Sequence, residues 1–244
     1  MSSVVFPYPP ADAATPRRDR APMLGALLIT DALLSFAPVI VLGRAIGWPQ
    51  SLGLPAAEQL SRIHAQPEAV AFGYGLYLLY SVLVAPVMIA MAARVFGGLH
   101  RPLAATVAAF AVLSTLARAI GILRWLTVMP ALATAHAAAD PATRVSIERL
   151  FDAVNAYGGG IGELLGVSLF MAASLGLLCI GALRQRLLPT WLASLGLVAA
   201  ALLGSAFLPA VGVPLAAPMA LAVSSLSVWM IAASVWALRK SRQP

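Results

Sequence analysis

Apolar residues in this chain come in unbroken runs of about twenty rather than in alternation with polar ones. The runs fall at residues 22–43, 69–96, 103–130, 161–183, 189–208 and 214–238. As a helix rising about 1.5 Å per residue, each can cross a hydrocarbon layer of about 30 Å. No water reaches the backbone inside lipid, so such a run satisfies its N–H and C=O groups only as a helix. A β-barrel would show shorter alternating segments of about ten residues. The pattern predicts an all-α polytopic membrane protein, a bundle of about six transmembrane helices over 22–238. A disordered cytoplasmic tail over 1–21 precedes it and a short cytoplasmic tail over 239–244 follows.

The polar punctuation refines this picture. Three runs open on an arginine followed shortly by proline: Arg20 and Pro22, Arg101 and Pro102, Arg186 and Pro189. Proline suits the first helical turn, where its missing N–H is no loss. The first run is too long for a signal peptide and contains Asp31, so it is expected to be retained as a helix. Residues 55–65 are expected to form a short helix in one outer loop. In the other, Asp140 is a natural N-cap with Pro141 behind it. Ile147, Leu150, Phe151 and Val154 follow at helical spacing. An amphipathic helix near 141–155 is expected, lying on the outer membrane surface or capping the bundle. Gly158, Gly159 and Gly160 are read as a hinge before the fourth span.

Composition and charge agree with this reading. Hydrophobic residues make up 61% of the 244 and charged residues 10%, against about 25% charged in a soluble domain. The net charge of +7 sits in short clusters between apolar runs, which is a topology signal and not a nucleic-acid groove. Arg17, Arg18, Arg20, Arg94, Arg101, Arg184, Arg186, Arg239, Lys240 and Arg242 fall on the side of the termini, and Arg44, Arg62, Arg144 and Arg149 on the other, ten against four. Both termini are therefore expected in the cytoplasm. The abundance of Arg and Ala suggests a GC-rich bacterial genome and hence a bacterial inner membrane. The single cysteine, Cys179, has no intrachain partner and reads as a core residue.

Apart from Arg94 at the end of its run, four ionisable residues fall within the spans: Asp31, Arg118, Arg124 and Glu163. Each costs about 2.5–3.5 kcal/mol at a bilayer centre, so they should face the interior and pair. Helices three and four run oppositely, and counting residues along them sets Arg124 against Glu163 as an ion pair. Arg118 lies about 22 Å along the third helix, at a depth similar to Tyr80 and Ser81, Ser168, and Ser224 with Ser225. Asp31 is its best counter-ion. The alternatives are a dry Asp31–Arg118 clamp and a polar pocket open to an anionic ligand or a proton. Gly158, Gly162 and Gly166 recur every four residues, the spacing that lets helices approach closely.

Other chemistry finds little support. His64, His100 and His136 fall in loops or at helix ends, unsuited to an intramembrane haem. His136 and Asp140 lie four apart, but a helix start between them breaks metal-ligand geometry. There is no HExxH motif and no P-loop. The stretch Gly166 to Phe170 lacks the second glycine of a nucleophile elbow. No cofactor, metal site or catalytic residue is expected.

The arginine-bearing third helix, then Gly162-Glu163 with Gly166, then Leu188-Pro189 with Trp191-Leu192, resembles a bacterial multi-pass membrane family known only as a domain of unknown function. The resemblance covers most of the chain after residue 22 and implies a six-helix fold, with no activity or ligand to carry over. The leading functional expectation is small-solute transport or ligand binding through a polar intramembrane pocket. The alternative is an accessory or structural subunit acting through helix contacts with a membrane partner or a second copy, and a membrane-embedded enzyme acting on lipid comes third. The expected partner common to all three is the lipid bilayer.

Overall fold

A computed structural model describes residues 21–240. The tail expected over 1–21, with Arg17, Arg18 and Arg20, and Arg242 beyond the last helix lie outside the described residues, Ala21 excepted. Helices α1 (Ala21–Leu34) and α2 (Phe36–Ile46) make one apolar rod, Pro22–Ile46, with a break at Ser35. Pro38 explains the break: it has no N–H for the Leu34 carbonyl, and its ring crowds that oxygen. Then come α3 (Ala56–Ala65), α4 (Pro67–Phe96), α5 (Pro102–Leu126), α6 (Val128–Ala138) and α7 (Pro141–Gly159). A π-helical stretch, Gly160–Met171, runs on into α8 (Ala172–Arg184), followed by α9 (Thr190–Ser205) and α10 (Met219–Lys240).

Five of these rods are long and apolar enough to cross a membrane: Pro22–Ile46, Pro67–Phe96, Pro102–Ala138, Pro141–Arg184 and Met219–Arg239. Helix α9, at 16 residues, is a shorter apolar helix packed between α8 and α10. Its chain partners show which ends coincide. Ser234 Oγ donates to the Gly25 carbonyl at 2.8 Å, so α1 starts where α10 ends. A Cβ on Gly181 would meet Phe96 Cζ at 3.1 Å, which brings the α4–α5 and α8–α9 connections to that same end. We call it the terminal end and its opposite the far end.

Two cores divide the bundle. The larger, from α1, α4, α5, α8, α9 and α10, centres on Met88, Met91, Leu175, Leu178, Leu192 and Trp229. The smaller gathers Leu42, Leu60, Ile63, Tyr74, Trp125 and Phe151 beneath α3, α6 and α7. Pro102–Ala138 has 37 residues and Pro141–Arg184 has 44, roughly 55 and 66 Å of helix. Both exceed the layer of about 30 Å, so α6 and α7 stand beyond it at the far end, with α3 packed against them. Asp140 caps α7 by accepting from Ala142 N at 2.9 Å and Thr143 N at 3.0 Å. His136 Nε2 lies 2.9 Å from Glu148 Oε1 and ties α6 to α7.

Several boundaries differ from the expectations. Gly158–Gly160 make no hinge: α7 passes through them into the fourth span without a break. Glycine ends helices in water by exposing backbone, but here the missing Cβ of Gly158 admits Arg124 of α5, while one on Gly160 would meet nothing. The third span runs past residue 130 to Ala138, and the sixth begins at Met219 rather than near 214. Arg239 and Lys240, assigned to the tail, belong to α10.

Candidate functional site

Between the two cores lies a cavity of about 40 Å³, lined by Trp48 and Leu52 from the α2–α3 connection, by Tyr74, Tyr77, Arg118, Gly121, Ile122, Arg124 and Trp125, and by Gly162, Glu163 and Val167. A water needs about 10–15 Å³ measured this way, so the space suits a few waters or one small anionic group. Trp48 and Leu52 belong to a far-end loop, so the cleft lies toward the far end.

The cleft exists because backbones come close on one side and rings hold open the other. A Cβ on Gly121 would lie 2.7 Å from Gly162 Cα and 2.9 Å from the Gly158 carbonyl oxygen. One on Gly166 would lie 2.7 Å from Arg118 Cγ. Gly158, Gly162 and Gly166 thus all face α5, and Ser114 Oγ donates to the Gly166 carbonyl at 2.7 Å. The Arg118 stem packs on Gly166 and its guanidinium reaches across to Tyr80 on α4. On the other side Tyr74 stacks on Trp125 at 4.6 Å and Trp48 meets Tyr77 edge-on at 6.1 Å.

Arg118 is the hub. It is buried about 24 Å along α5, and its guanidinium carbon sits 4.6 Å from the centre of the Tyr80 ring, within cation–π range. Its Nε is sealed from solvent with no hydrogen-bond partner among the described residues. Its side chain lines the cleft. Asp31, fully buried, feels the Arg118 charge, yet neither of its carboxylate oxygens has a hydrogen-bond partner. Among the described residues no ion pair within 4 Å joins the two, so the dry clamp does not form. Ser81 Oγ, Ser168 Oγ and Tyr74 Oη are likewise buried without partners among the described residues. Buried polar groups in folded proteins are nearly all satisfied, so these atoms stand out.

The structure separates two expected partners. Arg124 and Glu163 line the same cleft and feel each other's charge, but Arg124 Nε and Nη2 donate to Asn155 Oδ1 at 3.3 and 3.2 Å, and Nη1 to the Gly121 carbonyl. The direct Arg124–Glu163 ion pair is therefore replaced by an arginine–asparagine contact, with the Glu163 side chain left exposed. Ser224 faces outward. Ser227, one turn on, faces inward instead, 3.1 Å from Ser35 Oγ. Trp48, Trp125 and Asn155 were not expected at this site. The signals available were a tryptophan beside Arg124 and an amide one turn after Phe151 on the apolar face of α7.

Multiple apolar spanning helices, a lipid-facing apolar exterior and a buried polar cleft define an integral, multi-pass membrane protein. Residues 23–233 match the model of a family described as a domain of unknown function, DUF4386, and the chain belongs to that family. No curated protein and no solved structure matches it.

Proposed function

We propose that the cleft is the binding site of a small anionic solute and that the protein binds and transports it. The observation that carries this reading is Arg118: a buried guanidinium on the wall of a cavity, with no carboxylate on it and an unpartnered tyrosine hydroxyl nearby. Arg118 and Arg124 outnumber Glu163 by one charge among the lining residues. A planar arginine fork suits a carboxylate or phosphate. The volume admits the charged end of a solute, and the larger core closes the cleft toward the terminal end. Transport therefore needs a second state open on that side.

The subunit reading drew on the glycine stripe and on the lack of any chemical motif, and the stripe lies inside the bundle against α5. Arg94, Arg101, Arg184, Arg186 and Arg239 at the terminal end support a cytoplasmic placement for that end. A reporter fused after Pro244 should be active only in the cytoplasm.

To test the binding, small molecules released from the purified protein are compared with those from an Arg118→Gln variant. An anion carried by the first and lost from the second supports the proposal. Asp31→Asn, which frees Arg118 of a competing negative charge, should tighten retention of the same anion. Equal retention by all three proteins overturns the reading. Uptake of the identified anion into proteoliposomes separates transport from binding alone.

A further inference from the structure

A second cavity lies at the terminal end, far from the cleft, between the α8–α9 connection and the last turns of α10. It measures about 490 Å³ and is walled by Arg186, Leu187, Trp191, Val235, Trp236 and Arg239. That is the size of a small-ligand site, about 300–1,000 Å³, and more than ten times the cleft's 40 Å³.

Among the described residues its charge is of one sign. Among the described residues the acids Glu58, Glu68, Asp140, Glu148, Asp152 and Glu163 belong to far-end segments or the cleft, and Asp31 is buried inside. Arg186 and Arg239 are exposed, and no ion pair is formed by either among the described residues.

Arg186 also occupies an unusual backbone position. It closes α8 with φ at +54°, its N–H bonded to the Leu183 carbonyl at 3.1 Å and the next N–H, of Leu187, to Ala182 at 2.9 Å. Glycine is the ordinary occupant of a left-handed helix end, because a Cβ there crowds the carbonyl.

We propose that this groove holds the headgroup of an anionic phospholipid from the leaflet at the terminal end. The two guanidinium groups take the phosphate. Trp191, 57% exposed, sits at the level where aromatic residues favour the membrane interface. Exposed Val235 and Val228 on α10 and Val198 on α9 continue the apolar wall away from the arginines, giving acyl chains a surface to lie on. A soluble phosphate would use the charges and leave that wall idle, which favours the lipid. The groove shares no residue with the cleft, so this inference stands independently of the transport reading.

The test is native mass spectrometry of purified protein equilibrated with equal amounts of phosphatidylglycerol and phosphatidylcholine. Wild type should retain phosphatidylglycerol preferentially. Each arginine near a charged surface contributes about a kcal/mol, so Arg186→Gln with Arg239→Gln should weaken that retention roughly 30-fold. Arg144→Gln with Arg149→Gln, at the far end, should leave it intact. Arg186→Gly separates binding from folding: glycine relieves the backbone, so thermal stability in phosphatidylcholine should hold or rise while retention of phosphatidylglycerol falls. Retention unchanged in the double variant, or equal retention of both lipids by wild type, overturns the proposal. So does displacement of the lipid by millimolar inorganic phosphate.

Discussion

The terminal-end core and the cleft use the same residue types to opposite effect. In the core, serine and tryptophan are anchored: Ser174 Oγ donates to the Val107 carbonyl at 2.9 Å, Ser234 to Gly25 at 2.8 Å and Trp229 Nε1 to the Leu192 carbonyl at 3.2 Å. Around the cleft, Ser81, Ser168, Tyr74, Asp31 and the Nε of Arg118 are just as buried and have no partner among the described residues. A satisfied hydroxyl fastens one helix to the next, whereas an unsatisfied one costs free energy until something polar arrives. The difference separates a region whose polar groups fasten its helices together from one whose polar groups, among the described residues, do not.

The largest expected effect breaks the anchored side. Trp229 is fully buried, and Trp229→Ala should destabilise by about 3–5 kcal/mol, read as a loss of folded protein in a detergent melt. Next comes the helix contact that shapes the cleft. Gly121→Ala places a methyl 2.7 Å from backbone that cannot yield as a side chain can, and should destabilise by about 1–3 kcal/mol or more. Gly75→Ala, a position open to space on α4, should be tolerated.

The comparison itself is sharpened by two serine deletions. Ser174→Ala removes a made hydrogen bond and leaves the Val107 carbonyl unpaired by it, a loss of about 1 kcal/mol. Ser168→Ala removes a hydroxyl that bonds nothing and should be neutral or stabilising. Equal losses at both sites would show that the cleft hydroxyls are already satisfied.

Much of this was legible in the apolar runs, and the misses share a cause. Counting at 1.5 Å per residue gives depth along a helix but not rotation about it, and a helix apolar all round carries no stripe to fix rotation. Ser224 was therefore placed at a sensible depth on the wrong side, with Ser227 a turn away facing in. Arg124 and Glu163 came out at matching heights, yet Asn155 intercepts the guanidinium. That asparagine was hidden because α7 was read as a separate loop helix. The run Gly158–Gly160 misled for a related reason: Gly158, of a type that breaks helices in water, serves here as a contact surface for α5. Arg118 and Asp31 were visible because charge in an apolar run is expensive wherever the side chain points.

The smallest effect concerns the projecting hairpin at the far end. The backbone N–H of Thr143 holds the exposed Asp140 carboxyl below its usual range. A lowered folded value means the cap's contribution is fully present above the unfolded aspartate value of about 3.9 and is lost as pH falls through the folded one. Asp140→Ala should speed amide exchange at Ala142 and Thr143 at neutral pH while leaving the bundle's melting temperature nearly unchanged. Loss of the whole fold would mean that α6 and α7 are not the peripheral hairpin described.

The central claim is that Arg118 is an anion receptor, and the most direct measurement watches its Nε–H. Protein labelled with ¹⁵N-arginine in nanodiscs is titrated with acetate, chloride and inorganic phosphate in turn. The account predicts a saturable shift of the Arg118 Nε–H resonance with at least one of these anions. Arg62, which already bonds Glu58 and the Ile46 carbonyl, should not move, and Arg118→Gln should abolish the response. An Arg118 resonance unmoved by every anion, or moved only in step with bulk ionic strength, would contradict the account.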